Sequence, residues 1–175
     1  MSAVYLLSSL PGLSLGQPPK LTAAAFLSAC DSLVPPERLE TLRALLENRP
    51  IPGADGYAAR WFDCDTQIRN AIARRRAAAK GADPSASVRP AKGCALWLDR
   101  AVENAFALKN PLAREEALDA LRFKAADELA GVDPLAPDRL FAYAVRLGIL
   151  LRRAARNPDA GSARLLQLAD VPLPL

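Results

Sequence analysis

The sequence contains no histidine among its 175 residues. Histidine is the commonest general base near neutral pH and the commonest protein ligand of transition metals. Its absence excludes a serine–histidine–aspartate triad and a histidine-based zinc site. We therefore expect a non-enzymatic protein with no metal site and no cofactor.

Cysteine is scarce and irregularly placed. The three cysteines, Cys30, Cys64 and Cys94, are far apart in the sequence and form no Cys-x-x-Cys motif. Neither a disulfide framework nor a cysteine zinc site is indicated by this spacing. We expect the three side chains to belong to the core, and a reducing cytoplasm fits them best.

Long apolar runs are also missing, because charges or prolines interrupt each stretch before the roughly 20 residues of a membrane-spanning helix. The opening run from Val4 to Leu10 stops at Pro11-Gly12 and has no cationic segment before it, unlike a secretory signal. We expect this run to pack on the protein, burying Tyr5, Leu6 and Leu10. Its pattern fits a strand or a helix.

No useful stretch with the alternating pattern of a half-buried strand occurs elsewhere in the chain. The sequence therefore predicts an all-α protein, a compact bundle of about six to seven helices with the opening segment packed on it. The length favours a single domain over 1–175, with a possible division into a helical hairpin at 1–52 and a main bundle at 57–175.

Apolar side chains at three- and four-residue spacing, with caps and breakers, define the helices. Thr22 is a predicted N-cap, and both Pro35-Pro36 and Asn110-Pro111 are typical helix starts. The predicted helices cover residues 23–33, 37–48, 57–80, 94–109, 111–130, 138–156 and 162–170. The helix at 57–80 is the longest, and the helix at 138–156 is apolar nearly all round, which is typical of a buried central helix.

The longest predicted helix carries two groups of charges. Asp65 falls within its apolar stripe, one turn before Arg69, so we expect a structural ion pair rather than a catalytic acid. Near the end of this helix, Arg74, Arg75 and Arg76 point in three directions, which favours a solvated helix end over a nucleic-acid-binding face. An acidic protein partner is compatible with these arginines.

Three further arginines, Arg139, Arg146 and Arg153, are spaced by seven residues along the predicted central helix. Such spacing keeps them on one stripe of the helix. They are structural ion-pair candidates, and the partners that we expect on the preceding helix are Asp119, Asp127 and Glu128. A bound phosphate is the alternative for this stripe.

Several segments resemble a bacterial family, domain of unknown function 2764. They are "VYLLSSLPGLSLGQPPKLTAAAFLSAC", "FDCDTQIRNAIARRRAAAKGADP", "NPLAREEALDALRFKAADEL" and "DRLFAYAVRLGILLRR", and together they cover most of the chain. Their order and spacing, rather than any single motif, carry the resemblance. This chain is shorter than many members of that family and has few aromatic residues at positions where the longer members have them.

The resemblance implies a role beside bacterial V/A-type ATPases, because members of that family are typically encoded among the genes of these enzymes. The Arg-Asn helix is also similar to the all-helical ATPase component that joins the rotary stalk to the membrane ring. The implied function is a non-enzymatic subunit or an assembly or coupling factor, in the cytoplasm or held at the membrane through the ATPase complex. The partner-binding candidates are Arg69, Asn70, Arg74 and Arg76.

A second hypothesis is a free-standing helical adaptor or nucleic-acid-associated protein that uses the Arg-rich helix end at 74–80. The two hypotheses differ in salt dependence. Binding to nucleic acid should weaken steeply with log salt, whereas an apolar protein interface should tolerate salt.

Overall fold

A computed structural model describes residues 3–92 and 95–156. These residues contain α-helices and one short 3-10 helix, and no strand occurs among them. The helices are α1 (Ala3–Ser9), α2 (Ala23–Asp31), α3 (Pro36–Glu47), α4 (Gly56–Lys80), α5 (Leu96–Ala107), α6 (Pro111–Leu129) and α7 (Asp138–Ala154), with the 3-10 helix at Ser85–Ser87. The prediction of an all-α bundle is confirmed.

Local signals in the sequence explain most helix boundaries. Thr22 Oγ1 accepts a hydrogen bond from the Ala25 backbone N–H at 3.2 Å, so the predicted N-cap of α2 is confirmed. Asn110 caps α6 through Leu112 N–H at 2.9 Å. At the other end of a helix, Gly81 closes α4 with φ of 62°, a backbone conformation that favours glycine.

The observed helices differ from the predicted ones mainly at their ends. Helix α2 stops two residues before the predicted end at Leu33, and α5 begins at Leu96 rather than at Cys94. The 3-10 turn at Ser85–Ser87 lies in a segment that the sequence predicts to be a loop. The predicted helix at 162–170, the tail after it and the side chain of Val4 lie outside the described residues, as does Cys94.

Helix α7 lies at the centre of the bundle and packs most extensively against α3 and α6. Leu147 is fully buried, and in all, nine of the 17 residues of α7 are buried. The expectation of a buried central helix is therefore confirmed. Within the described part of the chain, no helix is both long enough and apolar enough to cross a membrane.

The contact between α3 and α7 is unusually close at one point. A Cβ atom placed on Gly148 would come within 2.2 Å of the Leu46 backbone oxygen. No side chain fits in that space, so Gly148 allows the two helix backbones to meet. Glycine inside a helix disfavours that helix by roughly 1 kcal/mol relative to alanine, and here the close packing explains its presence.

The opening run is a helix, α1, that packs on α7. Leu6 is buried, and Leu10 is partly buried against the core. The expectation that Tyr5 is buried is wrong, since this side chain is 61 % exposed. Neighbouring residues of a helix lie about 100° apart around its axis, so Tyr5 faces solvent when Leu6 faces the core.

Candidate functional site

Asp65 is a buried carboxylate at the middle of α4. It accepts hydrogen bonds from Arg69 Nε at 2.6 Å and from Arg122 Nε at 3.0 Å. Asn48 Nδ2 donates a third hydrogen bond at 3.2 Å. The predicted pair with Arg69 is present, but the sequence does not predict the partners from the end of α3 and from α6. The carboxylate therefore joins three helices.

The two arginines keep Asp65 ionised. Burial by itself raises the pKa of a carboxyl group, but the charges of Arg122 and Arg69 outweigh it and lower the pKa of Asp65 below its ordinary value. The Arg122 side chain is only 16 % exposed, whereas that of Arg69 is 53 % exposed. The bond to Arg122 is consequently the more shielded of the two ion pairs.

Asn48 orients this cluster from the C-terminal end of α3. Its backbone has φ of 53°, in the left-handed region, which asparagine adopts more readily than most residues. Its side chain spans two partners, because Oδ1 accepts a hydrogen bond from Trp61 Nε1 at 3.1 Å while Nδ2 donates to Asp65. An asparagine after a leucine-rich helix is a typical C-cap signal, but its distant partners leave no mark in the sequence.

The three partners of Asp65 line a polar cleft of about 790 Å³. Helices α4 and α6 form most of its walls, and α7 contributes Arg152. The cationic residues that line it are Arg69, Arg76, Lys80, Arg122 and Arg152, and the acidic ones are Glu47, Asp83, Glu115 and Asp119. Both signs of charge are present, so the pairing of each group decides what the cleft attracts.

Each acidic side chain of the cleft already has a partner within the described residues. Glu47 contacts Arg49 at 3.3 Å, and Glu115 lies 4.0 Å from Arg76. Asp119 contacts Arg156 at 2.6 Å. The fourth acid, Asp83, accepts hydrogen bonds from the N–H and the hydroxyl of Ser85.

Two cations of the cleft, Arg152 and Lys80, make no ion pair among the described residues. The side chain of Arg152 reaches solvent, but partial desolvation by the cleft walls lowers its pKa from the ordinary value. The charges of Asp119 and Asp65 oppose this shift, whereas the like charges of Arg122 and Arg69 add to it. Positive charge in the cleft is thus only partly neutralised.

The four partner-binding candidates do not share one surface. Arg69 and Arg76 line the cleft, and Arg74 is exposed outside it. Asn70 is buried, and its side chain donates to the Arg89 carbonyl at 2.7 Å and accepts from the Arg89 N–H at 2.9 Å. The assignment of Asn70 to a partner-binding surface is wrong, because both ends of its amide hold the loop after α4.

The arginine stripe of α7 pairs with α6. Arg139 and Arg146 contact Asp127 at 2.9 and 3.1 Å, and Arg153 lies 3.6 Å from both Asp119 and Glu116. The sequence predicts internal pairing for all three arginines, and the structure contains it.

One expected partner of this stripe, Glu128, is absent from it. Glu128 lies 3.5 Å from Lys124, one turn away on the same exposed side of α6. It does not contact the arginines of α7 because Asp127, the preceding residue, already occupies the side of α6 that faces them.

The cysteines of the described residues have suppressed acidity. Burial raises the pKa of Cys30 to about 11. Burial and the neighbouring carboxylates Asp65 and Glu128 raise the pKa of Cys64 to about 12. A thiol must ionise to act as a nucleophile or metal ligand, so neither group is activated. Within the described ranges, no cluster of three or more histidine, cysteine or acidic side chains could hold a metal ion.

A second groove, of about 440 Å³, lies between α4, α5 and α6. Its lining is mostly apolar and includes Cys64, Leu98 and Leu129. Trp97 lies at this groove with its side chain partly exposed, and Lys124 Nζ is 5.4 Å from the centre of its ring. The sequence patterns do not predict this groove.

The comparisons with known proteins give no further assignment of these sites. The chain matches no protein-family model, and neither a curated protein nor a solved structure is significantly similar to it.

Proposed function

We propose that this protein is a non-enzymatic helical subunit, or an assembly or coupling factor, of a bacterial V/A-type ATPase that acts by binding another protein. The proposal rests on the order and spacing of the segments that resemble domain of unknown function 2764. An all-helical fold is compatible with such a role. In this role the chain works in the cytoplasm, and it meets the membrane only through the ATPase complex.

The observation that carries the proposed mode of action is the exposed, mixed charge at the C-terminal end of α4. Arg74 is exposed and has no ion pair among the described residues. Arg76, on another side of the helix at the edge of the cleft, is also exposed, and its contact with Glu115 is long, at 4.0 Å. An acidic surface on a partner protein would complement these two arginines and steer the encounter.

The same region is a poor match for nucleic acid. Arg75 contacts Glu103 at 2.5 Å, so a carboxylate stands beside the arginine cluster on each of two neighbouring helices, α5 and α6. These pairs leave Arg74 as the member of the cluster without an ion pair among the described residues, and no aromatic side chain occurs from residue 63 to residue 96 for base stacking. This supports a protein partner over the nucleic-acid-associated alternative.

Affinity capture from the native cell tests the proposal directly. The tagged full-length chain should recover V/A-type ATPase subunits, identified by mass spectrometry. Eluates in which the bait is folded but every ATPase subunit is absent would remove the leading function. Treatment with nuclease and a salt series would separate the alternative, since a nucleic-acid complex should be lost with both.

A further inference from the structure

We propose that the cleft between α4, α6 and α7 is a binding site for a phosphoryl group, supplied as free phosphate or as part of a small phosphorylated molecule. Arg69, Arg122 and Arg152 would be its ligands. This inference goes beyond the proposed function and does not depend on it, since none of the contacts involved requires an ATPase partner.

Asp65 holds two of these arginines by one nitrogen each. Arg69 and Arg122 both contact the carboxylate through Nε alone. A guanidinium has five N–H donors, of which Nε supplies one and the two terminal nitrogens supply four. The terminal nitrogens of both arginines make no hydrogen bond within the described residues. Asp65 thus fixes both side chains while leaving their terminal nitrogens available to donate to an anion.

The local charge favours an anion. Arg69, Arg122 and Arg152 all line the cleft. The carboxylate that contacts Arg69 and Arg122 is that of Asp65. The acids that line the rest of the cleft are engaged by Arg49, Arg76, Ser85 and Arg156. Arg69 and Arg122 share the single charge of Asp65, and Arg152 makes no ion pair among the described residues, although the charge of Asp119 acts on it. Positive charge is therefore in local excess near these arginines, which favours an anionic ligand such as phosphate.

The placement of the arginines favours a tetrahedral anion. They come from three different helices, α4, α6 and α7, so they approach the cleft from different directions. A tetrahedral phosphoryl group presents acceptor oxygens in several directions, whereas a planar carboxylate suits one or two arginine forks. The cleft volume of about 790 Å³ lies within the range of small-molecule sites.

The organic part of such a ligand would be small and polar. The apolar contribution to the cleft comes from Ile72, Leu118 and three alanines, and no aromatic ring lines it. A base-stacking platform is therefore missing from the described walls.

Calorimetric titration of the full-length protein with inorganic phosphate and with pyrophosphate tests the inference. A parallel titration with citrate at equal ionic strength tests whether the cleft binds a carboxylate equally well. A titration with chloride is the control for added salt. We expect saturable binding of phosphate or pyrophosphate and weaker binding of citrate. No saturable heat with either phosphate probe, or tighter binding of citrate, would overturn the assignment.

The decisive variant is Arg152→Gln, because this side chain has no ion-pair partner among the described residues to lose. It should keep its helical circular dichroism and bind the phosphate probe about tenfold more weakly or worse, the scale of a lost charged hydrogen bond. Arg100→Gln removes an exposed arginine of α5 outside the cleft and should change the affinity by less than about twofold.

Should Arg152→Gln fail to fold, Arg69→Gln provides the second test, because Asp65 would retain Arg122 and Asn48. Loss of binding in Arg69→Gln with retained binding in Arg100→Gln supports the site. Equal affinity in the wild-type protein and in a folded cleft variant contradicts it.

Discussion

At the scale of single residues, Asp65 connects helices that are far apart in the sequence. It is buried in a long helix whose other buried side chains are mostly apolar, and it bonds to residues 17 and 57 positions away. A buried charge is tolerated only when it is paired and hydrogen-bonded. The cluster therefore fixes the positions of α3 and α6 on α4 at the same point.

Replacing Asp65 by asparagine should destabilise the fold. Asp65→Asn leaves the shielded guanidinium of Arg122 without its counter-ion, and we expect a loss of about 1 to 3 kcal/mol in the free energy of unfolding. Urea denaturation at pH 7 measures it. Glu103→Gln, which removes an exposed pair with Arg75, should cost less than about 1 kcal/mol. Equal losses of unfolding free energy in the two variants would show that the burial of Asp65 does not add to its contribution.

The lowered pKa of Asp65 makes part of the stability depend on pH. A depressed pKa in the folded state means that the unfolded chain takes up the proton first as the pH falls. The contribution of Asp65 is present above the unfolded value of about 3.9 and is lost as the pH falls through the lower folded value.

The difference in unfolding free energy between the wild type and Asp65→Asn should consequently be constant from pH 7 to about 5 and shrink below about 4. Urea titrations at several pH values measure this difference. Curves that stay parallel down to about pH 3 would contradict the linkage.

At the scale of elements, local signals and distant contacts differ in what the sequence reveals. The caps at Thr22 and Asn110, like the leucine spacing of α3, involve residues within a few positions of each other. Such patterns can be read from the chain. The Asn48–Asp65–Arg122 cluster depends on how α3, α4 and α6 are placed in space, and no local pattern encodes that placement.

Two features that the sequence does not predict have the same origin. The arginines near Asn70 suggest a partner-binding surface, but the Asn70 amide bonds a backbone segment 19 residues later. The role of Gly148 depends on the distance between α7 and the Leu46 carbonyl. In both cases the determining neighbour is a backbone atom, and every residue supplies the same backbone atoms, so the sequence carries no mark of the contact.

The α3–α7 crossing should be the most size-sensitive contact in the bundle. Gly148→Ala improves helix propensity by roughly 1 kcal/mol, but its Cβ would collide with the Leu46 carbonyl, so we expect net destabilisation of about 1 to 3 kcal/mol. Thermal melts of the wild type and the variant show whether the substitution raises or lowers stability. Gly16→Ala is the matched control, because Gly16 has open space around it, and it should change stability by less than about 1 kcal/mol. A more stable Gly148→Ala protein would refute the close crossing.

Helix α1 offers a test with two adjacent residues. Leu6 is 2 % exposed and Tyr5 is 61 % exposed, so only the first should matter for stability. We expect Leu6→Ala to cost about 2 to 5 kcal/mol and Tyr5→Ala to change stability by no more than about 0.5 kcal/mol. Denaturant unfolding of both variants measures this contrast. Similar effects of the two substitutions would mean that α1 is not docked on α7 as described.

At the scale of the whole molecule, charge and apolar packing have separate roles. One cluster of buried side chains includes residues from every described α-helix and holds the bundle together. The charged groups around it include shielded pairs between α4, α6 and α7 and exposed pairs, some of them at the end of α4. The proposed partner surface belongs to the second kind, so changes there should affect binding without affecting the fold.

The double variant Arg74→Glu, Arg76→Glu tests this separation on a single set of samples. Exposed ion pairs are worth only about 0 to 1 kcal/mol, so the melting temperature should fall by no more than about 4 °C. Arg100→Glu reverses an exposed charge on a different helix, α5, and should leave both melting and partner recovery unchanged.

The most direct test of the proposed function compares how much V/A-type ATPase subunit three proteins recover: the wild type, the double variant that combines Arg74→Glu with Arg76→Glu, and the Arg100→Glu variant. The melting temperature of each protein is measured on the same preparation. We predict strong recovery by the wild type and by Arg100→Glu, and reduced recovery by the folded double variant, because its new carboxylates repel an acidic partner. Undiminished recovery by the double variant would remove the end of α4 from the interface, and absence of ATPase subunits from every folded bait would contradict the proposed function itself.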